Sequence, residues 1–402
     1  MYYSAFLRQL TRTVCVFILF NSAVLHAAQN SITNNPISNL NIGLTALFSA
    51  GGSTVDNATI SDLQAGGHDP AKNGFTVQNV ELTMKATVDN YFDAQSNFIF
   101  LIDAAGETVV ELEEAFLTTR QLDGGLQIKA GQYFTEFGRQ NVQHPHSWSF
   151  ADQPVILSRL FGGDGLRSQG LRLSWLMPTD WFSEFFIGAQ NAKGETVSSF
   201  LNADGEDVAG YILTDRNARD SSDLLYSARW LNAFDLSDSI SINFGISALQ
   251  GPNASDTDSN TKIIGSDLYI KWQAINSQRG FPFVAWHSEF LQRDYEALNQ
   301  TDPNHQLLSD SGYFSQILWG FKPGWVVGLR IEDAHSEGDN SSDPTRDDRQ
   351  RVSANISWYL SEYSKLRIQY NRDEAQHLVD QTADSIWLQL EFNMGSHAAH
   401  SF

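Results

Sequence analysis

Two histidines separated by a single proline, His144 and His146, stand just ahead of Asp152 in the stretch QNVQHPHSWSFADQPV. Imidazole nitrogens are ligands for zinc and related metals, and as loop residues they serve equally well to bond backbone or face water. A second pair near the C-terminus, His397 and His400, offers the same chemistry. Arg139, Arg159, Asp164 and Arg167 flank the first pair. Such charges either set the field at a constriction or pin a loop to a wall by ion pairs, and both can hold together. Oxygen-rich stretches at 253–260 and 337–348 have the composition of calcium or magnesium sites, although polar solvation also accounts for it. No G-x-S-x-G, Walker A or H-E-x-x-H pattern is present, so no nucleophile with a base can be nominated and an enzyme is not expected.

The elements that position the central histidines are two alternating segments. Leu126, Ile128 and Ala130 alternate with Gln127, Lys129 and Gly131; Leu171, Leu173 and Trp175 alternate with Gly170, Arg172 and Ser174. Period-two alternation is the mark of a strand with one oily and one wet face. Residues 135–165 between them are far longer than a hairpin loop, and they are expected to fold inward and narrow a lumen. The same alternation recurs near 40–48, 75–88, 91–102 and 108–118 before this pair of strands (126–134 and 166–176). After it come segments near 181–190, 223–234, 239–250, 263–274, 281–292, 311–321, 325–333, 351–360, 363–372 and 385–394. That gives about sixteen strands.

Tight connections alternate with long ones along the chain, and the turn at 103–106 is the one short member of the long set. Bacterial outer-membrane barrels have this asymmetry, with short periplasmic turns and long external loops. Trp175 and Trp181 flank one tight turn, Trp319 and Trp325 another, and Trp230, Trp272 and Trp358 each precede one, as an interfacial girdle requires. The fold class is therefore all-β: a transmembrane antiparallel barrel of even strand count, with both termini at the tight-turn end. Barrels of this size hold an aqueous channel. The wet register lines it with Lys85, Glu111, Glu113, Lys129, Arg172, Arg229, Lys271, Arg330, Arg351, Arg367 and Glu391. Glu114 falls on the oily register and is a misfit there; a bulge or a place near the rim would account for it.

Composition agrees with this reading. The 402-residue chain has 26 basic and 47 acidic residues, and its net charge of −21 argues against nucleic-acid partners and against a polybasic membrane anchor. Arg8 and Arg12 precede the apolar run Val14 to Phe20, and small residues Ala27 and Ala28 follow. This is the layout of a secretory leader, expected at 1–27, with the barrel at 28–402. The single cysteine, Cys15, lies in the apolar run without a lipobox, so the exported chain has no disulfide. After the leader no apolar run approaches the roughly 18 to 20 residues of a spanning helix.

At GQYFTEFGRQN, QHPHSW and RLFGGDGL, and again in the tail IWLQLEFNMGSHAAHSF, the sequence resembles Gram-negative outer-membrane porins of the phosphate-selective porin O and P type. Within them it is similar to an uncharacterised subset labelled zinc-regulated or TonB-dependent outer-membrane proteins. The resemblance implies a sixteen-stranded, usually trimeric barrel in outer-membrane lipid, whose third external loop, here 135–165, folds inward. The function it implies is a passive diffusion channel for small polar or charged solutes, without cofactor. A zinc-linked uptake or binding protein is the alternative. Phosphate selectivity in that family rests on a run of pore arginines and lysines, whereas this chain has scattered basic positions and an acidic excess. Energy-coupled receptors combine a plug with a 22-stranded barrel, and this chain has no room for both.

Overall fold

A computed structural model describes residues 40–395 apart from short stretches at 64–65, 71, 103–105, 121, 204–206, 209–210, 213–217, 299–304 and 339–342. The expected leader at 1–27 and the tail histidines His397 and His400 lie outside the described residues.

Sixteen antiparallel strands close into one barrel. They are β1 (Asn41–Ser53), β2 (Gly74–Thr87), β3 (Phe92–Ile102), β4 (Thr108–Thr119), β5 (Leu126–Phe134), β6 (Arg167–Leu176), β7 (Phe182–Asn191) and β8 (Leu224–Ser237). The second half comprises β9 (Ile240–Pro252), β10 (Asn260–Gln278), β11 (Phe281–Leu298), β12 (His305–Lys322), β13 (Trp325–Glu337), β14 (Arg349–Ser361), β15 (Ser364–Ala375) and β16 (Thr382–Gly395). Each strand pairs with its sequence neighbour, and β1 closes the ring on β16, with Gly43 opposite Gly395. Each of the sixteen strands has a paired neighbour on both sides, so the sheet closes without an edge strand, as a hydrocarbon layer demands. A two-residue hairpin, Asp207–Val208 with Tyr211–Ile212, stands apart from the barrel. Among the described residues no helix is long and apolar enough to cross a membrane.

The two registers of the strands have opposite fates. Leu171, Ile187, Ile246, Ile264, Ile317, Leu329, Ile368 and Leu388 face outward and are exposed; Arg330, Arg351, Arg367, Gln369, Asn371 and Glu391 face inward and are buried. This is a soluble protein turned inside out, as lipid on one side and a polar interior on the other require. Trp175, Trp181, Trp230, Trp272, Trp319 and Trp358 are exposed beside the tight turns, and Trp325 stacks on Trp358 with ring centres 5.4 Å apart.

Of the two explanations for the misfit of Glu114, the structure has the bulge, in β4. Asn97 of β3 pairs with Glu114 while the next residue, Phe98, pairs with Leu112, so Glu113 has no partner opposite it. The extra residue re-phases the strand, and both Glu113 and Glu114 end up buried.

Residues 135–166 enter the barrel. They carry a 3-10 turn, Pro145–Ser147, and one short helix, α1 (Val155–Phe161). Pro154 precedes the first turn of α1, where a missing N–H is tolerated, and Gly162 ends it at φ +80°, a conformation that a Cβ disfavours. Every residue of α1 except Arg159 is buried. Its apolar side chains pack with Phe137, with Val197, Phe200 and Leu201 of the next external loop, and with inward-facing Leu249, Ile263, Leu291 and Phe314. The outer part of the lumen over β8–β13 is thus filled by an apolar core.

Candidate functional site

A loop inside a barrel leaves the hydrogen-bonded ladders and must find partners for its own N–H and C=O groups. Here the wall supplies them. The Gly138 N–H donates to Ser247 Oγ of β9 at 3.1 Å, and those of Arg139 and Gln140 both donate to Glu289 Oε1 of β11 at 2.7 Å. The N–H of Ala151 donates to Gln369 Oε1 of β15 and that of Val155 to Glu332 Oε2 of β13, each at 2.7 Å; that of Gln153 donates to Asp69 Oδ1 at 2.8 Å. In the other direction Arg367 donates to the Trp148 carbonyl at 2.8 Å and Asn355 to that of Ser149 at 2.9 Å.

Asp152 is the hub of this attachment. It ion-pairs with Arg330, stands 3.3 Å from Arg351 Nη1 and accepts from Asn371 Nδ2 at 2.8 Å, while its carbonyl accepts from Arg330 at 3.0 Å. Burial would raise its pKa, but the two guanidiniums override burial and hold the carboxyl below the usual 3.8. Its neighbour Asp69, on the first external loop, goes the other way. Burial and the charge of Asp152 push it up to about 7.

A second cluster holds the two sequence-singled histidines. His144 Nδ1 lies 3.3 Å from Glu81 Oε1 of β2 and 2.8 Å from Glu113 Oε2 of β4, and its Nε2 lies 3.0 Å from Glu114 Oε2. His146 Nδ1 lies 3.0 Å from the other oxygen of Glu81, and the two imidazoles stack with centres 5.7 Å apart. Burial opposes the charge on His144, yet Glu81 and Glu113 outweigh it and hold its pKa well above the usual 6.5. Three buried carboxylates and two imidazoles therefore meet where the loop crosses the wall.

The remaining sequence-singled residues separate into two groups. Lys129 and Arg172 share Glu136 at 3.0 and 3.5 Å, and Arg167 pairs with Glu111 while donating to the Asp164 carbonyl at 2.8 Å. Arg159 donates to the carbonyls of Thr345, Arg346 and Asp347, 3.0 to 3.2 Å away, in another external loop. Asp164 borders His68 at 3.8 Å. Arg139 instead lays its guanidinium 4.0 Å over the Tyr269 ring in a chamber of about 490 Å³ on the tight-turn side of the loop, walled also by Lys85, His144, His146 and Trp148. In the loop at 253–260 the Ser255 N–H donates to Asn253 Oδ1 at 3.0 Å and the Asp256 N–H donates to Ser259 Oγ at 2.7 Å. Part of the oxygen-rich stretch at 337–348 lies outside the described residues.

Glu81, Glu289, Glu332, Gln369 and Asp69 carry the loop and were not singled out from sequence. The four on strands sit on the wet register beside residues that were, such as Lys85, Arg330 and Arg367, so the signal was present. What alternation cannot give is which wet residue meets the loop.

A closed sixteen-stranded barrel with an inward loop latched to a charged wall defines the porin-like class of outer-membrane barrels. No family model matches the chain. It is 30% identical over 359 residues to an uncharacterised protein of Aquifex aeolicus (strain VF5), covering 84% of this chain and 73% of that one, and it belongs to one family with that protein. Similar solved structures include an anion-selective porin from Comamonas acidovorans (TM-score 0.56, 8% identity, 89% of this chain and 99% of that one). The outer-membrane channel DcaP of Acinetobacter baumannii gives a TM-score of 0.54 at 12% identity, covering 89% of this chain and 96% of that one. Salmonella typhi OmpF gives 0.51 at 12% identity, with 90% and 99% covered. At such identities the likeness is one of fold.

Proposed function

We propose that this protein is an outer-membrane diffusion channel for small polar or charged solutes, exported by its N-terminal leader and narrowed by the loop at 135–166. One observation carries the reading: an outward belt of exposed aliphatic side chains encloses an inner wall of buried charges, and a chamber of about 490 Å³ remains below the loop. Passage then depends on size at the loop and on the field of mixed-sign wall charges, with no cofactor required. On this reading Arg139, which lines the chamber, shapes that field together with Lys129, Arg172, Glu111 and Glu113 on the wall. Phosphate is not the favoured solute, because the inward arginines Arg330, Arg351 and Arg367 are occupied by loop and wall partners. A homotrimer is the assembly that fits this barrel type.

The test is reconstitution in planar bilayers. Stepwise ohmic conductance, with a reversal potential in a salt gradient that reports the charge preference, supports the reading. A barrel that inserts and never conducts, with the loop intact or with residues 138–160 deleted, overturns it.

A further inference from the structure

The carboxylates and imidazoles between loop and wall pose an electrostatic problem that the channel reading does not use. Glu81, Glu113 and Glu114 are each at least nine-tenths buried. Three carboxyl groups here face two imidazoles, His144 and His146. Lys365, the near cation, pairs with Glu391 and reaches the group only through the His146 carbonyl, at 3.4 Å. A buried excess charge without compensation is costly.

Directed hydrogen bonds leave the centre of the group unfilled. Both oxygens of Glu113 and Nδ1 of His144 are buried without a hydrogen-bond partner, although Glu113 Oε2 and Nδ1 stand only 2.8 Å apart. On the far side of the ring, His144 Nε2 faces the Glu114 carboxylate at 3.0 Å. Both ring nitrogens face carboxylates, Nε2 toward Glu114 and Nδ1 toward Glu81 and Glu113, so a metal ion would take the Nδ1 position by displacing its proton while the Nε2 N–H stays on Glu114. One atom each from Glu81, Glu113 and His144 lie within 4.8 Å of one another. Zinc bonds of about 2.0 Å set tetrahedral ligand atoms roughly 3.3 Å apart, and the separations of Nδ1 from the two carboxylates are 3.3 and 2.8 Å.

We propose that Glu81, Glu113 and His144 form a binding site for a borderline divalent transition metal, zinc being the type ion, which staples the inward loop to β2 and β4. One imidazole and two carboxylates are a donor set for such an ion, with water completing the shell. Glu114 is a positioning residue: it takes the second ring N–H and fixes the tautomer, the outer-shell arrangement that metal-bound imidazoles almost always have. Asn97 Nδ2 and His146 Nδ1 steady Glu81 in the same way, at 2.5 and 3.0 Å. The ion reaches the site from the chamber, whose wall includes Glu81 and His144, or through the narrow outer cleft bordered by Glu113. The β4 bulge has a purpose on this reading, because without it Glu113 and Glu114 could not both face inward.

The experiment uses the full chain folded in detergent, stripped with EDTA and titrated with zinc chloride by calorimetry. One zinc per chain is expected, with a rise in unfolding temperature on loading. Affinity falls at least a hundredfold in Glu113→Gln and in His144→Gln, and about tenfold or more in Glu114→Gln. It is unchanged in a His397→Ala/His400→Ala double variant. Because the first variants remove loop anchors, the wild-type chain is also loaded with cobalt(II), whose visible spectrum must report nitrogen and oxygen ligands in a tetrahedral or five-coordinate field and vanish with one equivalent of zinc. Absence of zinc heat and of that spectrum overturns the proposal, as does binding lost only with the tail histidines. Conductance is read separately, so a barrel that binds zinc without conducting refutes the channel and leaves the site standing.

Discussion

Replacing Asp152 by asparagine keeps its shape and removes the charge on which the inward loop hangs. Asp152 joins the loop to three wall groups, Arg330, Arg351 and Asn371, on β13, β14 and β15. Deleting one partner of a buried ion pair costs about 3–5 kcal/mol. The low end applies here, because Arg330 retains Glu332 at 2.7 Å and Arg351 retains Asp373 at 2.8 Å. About 3 kcal/mol remains, which raises the population of the detached loop by roughly a hundredfold. The amides of Ala151, Gln153 and Val155 report it directly, since each donates to a wall or loop side chain rather than to a ladder. Hydrogen exchange of peptides covering 148–158 should therefore quicken about a hundredfold in Asp152→Asn while strand peptides of β9 and β16 stay protected. Exchange within threefold of wild type would refute the assignment of Asp152 as the latch.

Three further expectations follow from the same geometry. Asp69 has its folded pKa raised to about 7 from an unfolded value near 3.9. Its stability contribution is therefore full below about pH 4, declines as pH rises to about 7, and is constant above. The unfolding temperature of Asp69→Asn should gain on wild type across that window, and a difference independent of pH would count against the buried, protonated carboxyl. Arg139→Glu puts a negative charge over Tyr269 in the chamber wall beside Lys271; the reversal potential should move toward cation preference, and an unmoved potential removes Arg139 from the permeation path. Leu388→Arg places a charge on the exposed face midway along β16 and should cost about 2–4 kcal/mol if that face meets hydrocarbon; a neutral effect on folding into lipid vesicles would contradict the outward belt.

Most of the barrel was legible because alternation has only one physical source in lipid: one face oily, the other wet. Where it faltered, the strand ends were misplaced. The strand expected at 263–274 begins at Asn260, the one expected at 281–292 runs to Leu298, and the one expected at 311–321 begins at His305. The first of these also runs on to Gln278 at its tight-turn end. At the external ends of β10 and β11 the outward register turns polar, with Lys262, Asp294 and Glu296, and on β12 both registers are apolar, Leu307 exposed and Leu308 buried. Either change erases the oily-out, wet-in signal that defined the strands elsewhere. The inward loop was likewise legible as a long insertion between strands, rich in His, Arg, Asp and aromatic side chains, with His144 and His146 in it. The carboxylates that meet those histidines were not, since Glu81 comes from one strand and Glu113 and Glu114 from another, and their convergence depends on a one-residue bulge. Glu114 was the exception: its wrong register pointed to a bulge or a rim position, and the bulge is what the strand contains.

Closure and selectivity in this barrel cannot be varied independently. A bore of this width is water-filled unless something occupies it, and a loop that occupies it must pair backbone groups that water satisfied outside. The partners available are the wet-register side chains, and they divide by sign. Glu289 and Glu332 accept from loop N–H groups, whereas Arg330 and Arg367 donate to loop carbonyls. The same charges are the ones whose field a permeating ion would feel. Substituting a wall acid to change ion preference thus also strips the loop of an acceptor, and substituting a wall arginine strips it of a donor. Arg139 escapes this constraint: only its backbone is used for anchoring, and its guanidinium projects over Tyr269. It is the position at which charge can be changed while the latch is kept.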